Sequence, residues 1–344
     1  MCISSKGKAF SIDDDFLYDT ELLRHVALIN CKISLNSQLL TGLTCLKLQD
    51  SLKANSSIVQ VLHALQRMPG LIDLYLGDSI PDDSEGLSTY PDVDLPCLRV
   101  LHISSGVSEL TAVLRHITFP SRATLNLICQ INQSAQIDFS IFLPVLATKF
   151  LLTLVVRSLR LTIFGRSLKF YLWTTALIED YFPASQWQLQ LVLEWSKSPS
   201  YVEALTCALD AMSLSFLTQL QISTMYPIDS QTLVKTFGKL PLLERVWVQR
   251  YTLSRFLEAL VYKTKGTEES EAAYRNVSFP KLRYVHLERV HFKPTQIDTL
   301  LDCLMERYER NAEIQVLRLD DCYDILPYEV KKLKKLLLML SGTE

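Results

Sequence analysis

The leucine spacing of this 344-residue chain predicts an α/β fold, a leucine-rich-repeat solenoid built of irregular repeats. Such a fold carries a curved parallel sheet on the concave side and helices on the convex side. Three observations lead there. Leu23-x-x-Val26-x-Leu28-x-x-Cys31-x-Ile33 fills every fixed position of the template L-x-x-L-x-L-x-x-N/C-x-L. Shorter copies return at Leu43/Leu46/Leu48, Leu71/Leu74/Leu76, Leu98/Leu101/Ile103, Leu217/Leu220/Ile222, Leu243/Val246/Val248, Leu282/Val285/Leu287 and Ile314/Leu317/Leu319. Between copies lie segments with apolar residues at helical spacing. A strand and a helix of this kind cannot bury their apolar sides alone, whereas stacked copies share one core.

Residues 1–20 read as a polar lead-in ending in Asp13-Asp14-Asp15, and 21–344 as the solenoid. Two repeats lie close together between Leu22 and Leu48. Ile58, Val61, Leu62 and Leu65 then mark a helix over 57–67, stopped by Pro69-Gly70. After the strand at Leu71–Leu76 comes a turn-rich loop from Pro81 to Pro96. Following the strand at 98–103, a helix over 108–117 turns Leu110, Val113, Leu114 and Ile117 inward, with Ser108 as its N-cap. The middle, 120–196, is irregular. Its alternating segments at 124–128, 158–163, 168–173 and 189–193 read as strands whose spacing leaves room for an inserted hairpin.

From Tyr201 the rhythm resumes, with helices expected at 201–212, 229–237, 252–262 and 294–310. In the last, Pro294 opens the helix, and Ile297, Leu300, Leu301, Leu304 and Met305 form its buried side. Residues 263–278 form a charged insertion that reads as a loop. A C-terminal capping helix is expected at 327–340, with Val330, Leu333, Leu337 and Leu340 on one face and Lys331, Lys332, Lys334 and Lys335 as its wet side. Those lysines also resemble a short basic import signal.

Composition narrows the function. The net charge of −2 disfavours a charge-driven grip on nucleic acid or an anionic membrane. Phe139 to Val156 is apolar, but Pro144 and Lys149 interrupt it, so it reads as a buried helix rather than a span. The eight cysteines include no C-x-x-C pair, and Cys31 and Cys322 sit at the N/C position of the template. They read as reduced thiols in a cytoplasmic or nuclear protein. Sequons at Asn55, Asn132 and Asn276 matter only on the secretory route, and the N-terminus lacks the apolar run of a leader. None of the six histidines sits at metal-ligand spacing, and no G-x-S-x-G, Walker A or G-x-G-x-x-G motif is present. No catalytic residue, cofactor or metal ligand is therefore expected, and the chain is not read as an enzyme.

Strand geometry places a partner instead. Leucines of the template point inward, so the residues flanking the last two face the concave surface. Towards the C-terminus these are Arg245, Trp247 and Gln249, then Tyr284, His286 and Glu288, then Arg318 and Asp320. Trp, Tyr and Arg are the types enriched at interface hot spots, so these eight residues form the candidate protein-binding face. On this reading Trp247→Ala weakens partner capture and leaves folding nearly intact. The competing reading packs Trp247 under a neighbouring loop such as 263–278.

Leu22-Leu23-Arg24-His25-Val26-Ala27-Leu28-Ile29-Asn30-Cys31, with Asn36 to Leu48 after it, resembles the fungal (basidiomycete) F-box/leucine-rich-repeat family. Ala64-Leu65-Gln66-Arg67-Met68-Pro69-Gly70-Leu71, Val93 to Leu101 and Phe279-Pro280-Lys281-Leu282-Arg283 resemble further segments of that family. The resemblance spans most of the chain. It implies repeats that hold the protein substrate of a ubiquitin-ligase receptor, whose F-box would dock on a cullin-RING adaptor. Residues 1–20 are too few for an F-box, and Leu326-Pro327-Tyr328-Glu329-Val330, which looks like the start of one, comes too near the end. An adaptor partner is expected only with an F-box upstream; the alternatives are a stand-alone scaffold or inhibitor and an unrecognised enzyme.

Overall fold

A computed structural model describes residues 1–5, 10–12, 22–52, 56–78, 80, 90–131, 139–176, 186–196, 201–226, 228–262 and 277–341. The acidic cluster at 13–15, the three sequon asparagines, most of the loop from Pro81 and most of the charged insertion lie outside them. In chain order the first elements are β1 (Cys2–Ser4), β2 (Phe10–Ile12), β3 (His25–Ile29), β4 (Cys31–Ile33), β5 (Cys45–Gln49), α1 (Ile58–Gln66), β6 (Asp73–Gly77) and β7 (Val93–Asp94). Then come β8 (Val100–Gly106), α2 (Val107–His116), β9 (Ile117–Thr118), β10 (Thr124–Ile131), α3 (Phe139–Lys149), β11 (Ser158–Phe164), β12 (Ser167–Trp173) and β13 (Leu189–Trp195). The remainder is α4 (Tyr201–Asp210), β14 (Gln219–Thr224), α5 (Ser230–Thr236), β15 (Arg245–Arg250), α6 (Leu253–Leu260), β16 (Tyr284–Glu288), α7 (Gln296–Glu309), β17 (Val316–Asp320) and α8 (Pro327–Ser341).

The fold is α/β with mostly parallel strands, in two compact units: Met1–Leu154 with Trp187–Pro199, and Val155–Gln186 with Ser200–Glu344. In the first unit the strands run in the order β1-β3-β5-β6-β8-β10-β13, every pair parallel. Register aligns Val26, Leu46, Leu74, Leu101, Leu125 and Leu189 in one buried row, and Leu28, Leu48, Leu76, Ile103, Leu127 and Leu191 in the next. Alternation along a strand sends both rows to the same face. Burying each such side chain contributes about 1.5–3 kcal/mol, which fixes the register, since a one-residue slip would expose the whole row.

In the second unit the order is β12-β11-β14-β15-β16-β17. β11 and β12 form an antiparallel hairpin turned at Gly165, whose φ of 58° suits a residue without Cβ. The other pairs are parallel, with Leu161, Ile222, Val248, Leu287 and Leu319 in one row. The irregular spacing of the middle segment has its cause here: 155–186 belongs to the second unit, while β13 returns to the first.

The chain start differs from a loose lead-in. β1 pairs with β3 and β2 with β4, both in parallel. Without β1 the outer backbone groups of β3 would lack partners; Ala27 N–H donates to Met1 O at 2.9 Å and Ser5 N–H to Ile29 O at 3.1 Å.

Strand exits repeat a backbone device. Asn30, Asp50, Asp78, Arg250, Arg289 and Asp321 each stand two residues past the last apolar template position, and all have φ between 49° and 64°. The next side chain then turns back to the sheet. Ser51 Oγ donates to Leu28 O at 2.8 Å, Cys31 Sγ to Ile3 O at 3.6 Å and Cys322 Sγ to Leu287 O at 3.3 Å. Each links one rung to the rung before it. Burial pushes the Cys322 thiol up, so it stays protonated and able to donate.

Helix ends follow local chemistry. Ser57 and Gln60 make a reciprocal capping box at α1. The cap of α2 is Gly106 rather than Ser108, because β8 runs directly into the helix and leaves Ser108 in the first turn. In α7 Ile297, Leu300, Leu301 and Leu304 are buried, but Met305 is 39 % exposed and Cys303 and Arg307 take the inner face instead. In α8 only Leu333 of the expected inner row is fully buried, and Val330 is exposed. Glu329 there accepts from Leu326 N–H at 2.7 Å, so the F-box-like segment Leu326–Val330 opens a helix and caps it. Among the described residues no helix is long and apolar enough to cross a membrane.

Candidate functional site

The eight candidate residues meet on one face of three adjacent strands. Parallel register aligns Arg245 with Tyr284, Trp247 with His286 and Arg318, and Gln249 with Glu288 and Asp320. The ninth position of this grid is Val316, which is exposed. Two of the eight lie deeper than alternation alone implies: Trp247 is 2 % exposed and His286 3 %. The indole sits among rings, 5.7 Å from Tyr284 and 6.4 Å from His286 between centroids. Trp247→Ala is therefore a large-to-small change in a packed place, and the expectation that folding survives it nearly intact does not fit this burial.

Around those two, the remaining six are half-buried or exposed. Their side chains hold one another. The guanidinium of Arg245 lies 5.5 Å from the Tyr284 ring centre, within cation–π range. Gln249 donates through Nε2 to Glu288 Oε2. Asp320 Oδ2 receives Arg318 Nε at 2.7 Å and faces His286 Nε2 at 3.0 Å. Burial lowers the imidazole pKa of His286, and the nearby Asp320 carboxylate only partly offsets this. A neutral His286 facing that carboxylate must carry its proton on Nε2, which leaves Nδ1 as a buried acceptor without a partner among the described residues.

The grid offers hydrogen-bonded charge, aromatic edges and two arginines. Its side chains are already ordered, so a partner loses less entropy in docking on them than on free side chains. One strand inward, Gln219 and Gln221 lie on the same face and are buried; Gln219 accepts from Ser158 Oγ at 2.9 Å and Gln221 from Arg160 Nε.

The first unit carries a comparable row. Lys47, Tyr75, His102 and Asn126 align across β5, β6, β8 and β10. Lys47 Nζ sits 4.6 Å from the Tyr75 ring centre, and His102 stacks on that ring at 3.9 Å and 4°. Burial, with help from Lys47 and against Asp78, lowers the His102 pKa to about 4. The template places these residues on the open face, but it says nothing of which neighbours stack.

Compared with known proteins, the chain matches no family model and no curated sequence.

Proposed function

We propose that this chain is a non-catalytic protein-binding module, a leucine-rich-repeat solenoid whose strand face between β15 and β17 holds a protein substrate. The observation that carries the reading is the grid itself, with Arg245, Tyr284, Glu288, Arg318 and Asp320 reachable around a buried Trp247–His286 centre. Interface anchors of this kind work best when held in place by their neighbours. Support for the repeat reading comes from the six left-handed exits at one template position and from the parallel leucine rows. In that reading the grid lies on the concave wall.

The resemblance to fungal F-box/leucine-rich-repeat proteins extends the proposal to a role. The chain would act as the substrate-recognition region of a ubiquitin-ligase receptor, in the cytoplasm or nucleus. Affinity purification of the full protein from its own cells, followed by mass spectrometry, tests this. Recovery of cullin and adaptor subunits is expected. Their consistent absence would sink the ligase role and leave a scaffold or inhibitor. The double substitution Arg245→Ala/Arg318→Ala tests the face: the substrate should be lost while the protein stays folded, and unchanged recovery would place binding elsewhere.

A further inference from the structure

Beside the exit of β15 the second unit opens a cavity of about 480 Å³, distinct from the strand grid. That volume lies in the range of sites for small organic ligands. Its wall carries Arg250, Arg255, His291 and Lys293 against a single carboxylate, Glu258. Glu258 is occupied by Arg255, which reaches both its oxygens at 2.9 and 3.0 Å. His291 faces Asp324 at 3.2 Å and stacks on Tyr323. Arg250 and Lys293 remain, and among the described residues neither has a carboxylate partner. Leu253 and Ser254, at the start of α6, and Gln296, at the start of α7, line the same space, so two helix N-termini add positive potential.

Arg250 occupies its place at a cost. It has φ 64°, at the exit position where Asn30, Asp50, Asp78, Arg289 and Asp321 stand in other rungs. Asn and Asp enter the left-handed region readily, whereas a long side chain gains nothing there for the fold. The guanidinium lies 5.8 Å from the centre of the exposed Phe164 ring, within cation–π range.

We propose that this cavity binds a phosphomonoester dianion. Two cations without a carboxylate partner among the described residues, with two helix starts, match a doubly charged group with several acceptor oxygens better than a single carboxylate. Tyr251 and Met225 in the same wall leave an apolar side for the body that carries the phosphoryl group. The group can come from a free phosphorylated metabolite or from a phosphorylated side chain. The proposal does not depend on the strand grid being a partner face.

Isothermal titration of the full chain with inorganic phosphate, phosphoserine, serine and a phosphoserine peptide tests it. Saturable binding of phosphate and phosphoserine, but not serine, is expected. Arg250→Asn should bind about tenfold more weakly while melting no lower than the parent, since it relieves backbone strain. Arg289→Asn relieves the same strain one rung on, outside the cavity, and should bind as the parent does. A peptide that binds more tightly than phosphoserine identifies a side-chain source; equal affinity identifies a free metabolite. Absence of saturable phosphate and phosphoserine binding at millimolar concentration would overturn the proposal. So would parental affinity in Arg250→Asn, or equal losses in both arginine variants.

Discussion

Trp247 shows how one residue can be placed correctly by pattern and still be misjudged in role. Alternation along β15 puts it on the open face, and it is there, yet it is 2 % exposed. Periodicity reports direction along one strand; it does not report how large neighbours such as Tyr284 and His286 close over a ring. We expect Trp247→Ala to cost about 3–5 kcal/mol in urea unfolding. A cost below about 1 kcal/mol would mean that the ring is not packed as described. The strand exits were less legible still. Asp50 and Asp78 could be guessed as turn residues, but nothing in the template marks Arg250 or Arg289 as left-handed. Arg289 is exposed and lies 3.6 Å from Glu288 and 3.9 Å from Asp321, contacts worth little in water. Replacing it by Asn should raise stability by about 0.5 kcal/mol, because the backbone strain relieved exceeds the ion pairs lost. A clear loss in denaturant midpoint would contradict that balance.

At the scale of elements, most strands and helices could be read from the chain because one periodicity dominates each. Apolar pairs two residues apart mark β3, β5 and β6 as strands, and the 3.6-residue rhythm marks α1, α2 and α7. Legibility failed where partners are distant in sequence. The pairing of β1 with β3 answers an edge that only the folded sheet creates, and Arg307 turns into α7's inner face to donate to Ser278 O and Phe279 O at 2.7 and 2.9 Å. The His102 row on β8 makes a titration prediction. Its folded pKa, about 4, lies below its ordinary 6.5, so an unfolded chain takes up the proton first. Stability contributed by the neutral ring is whole above pH 6.5 and drains away as pH falls towards 4. His102→Phe keeps a ring against Tyr75 and removes the proton site, so it should flatten part of that decline in pH-dependent unfolding. An unchanged slope would show that His102 titrates normally.

For the molecule as a whole, the sequence made the α/β class and the stacked leucine rows readable, because those rows repeat one local solution. It did not reveal that the chain forms two compact units, since the boundary at Val155 falls inside the apolar stretch Phe139–Val156, whose composition reads as one continuous buried helix. Nor did it reveal the cavity beside β15, which needs residues from β14's exit, α6 and the approach to α7 together. The open face of β15–β17 is proposed to receive a protein. Photo-crosslinking in cells decides it most directly, with a photoreactive residue at position 318 on β17 and, as control, at position 299 on the outer side of α7. A defined crosslinked partner is expected from 318, absent from 299 and abolished by Arg245→Ala. The same partner from 299, or none from 318, would contradict it.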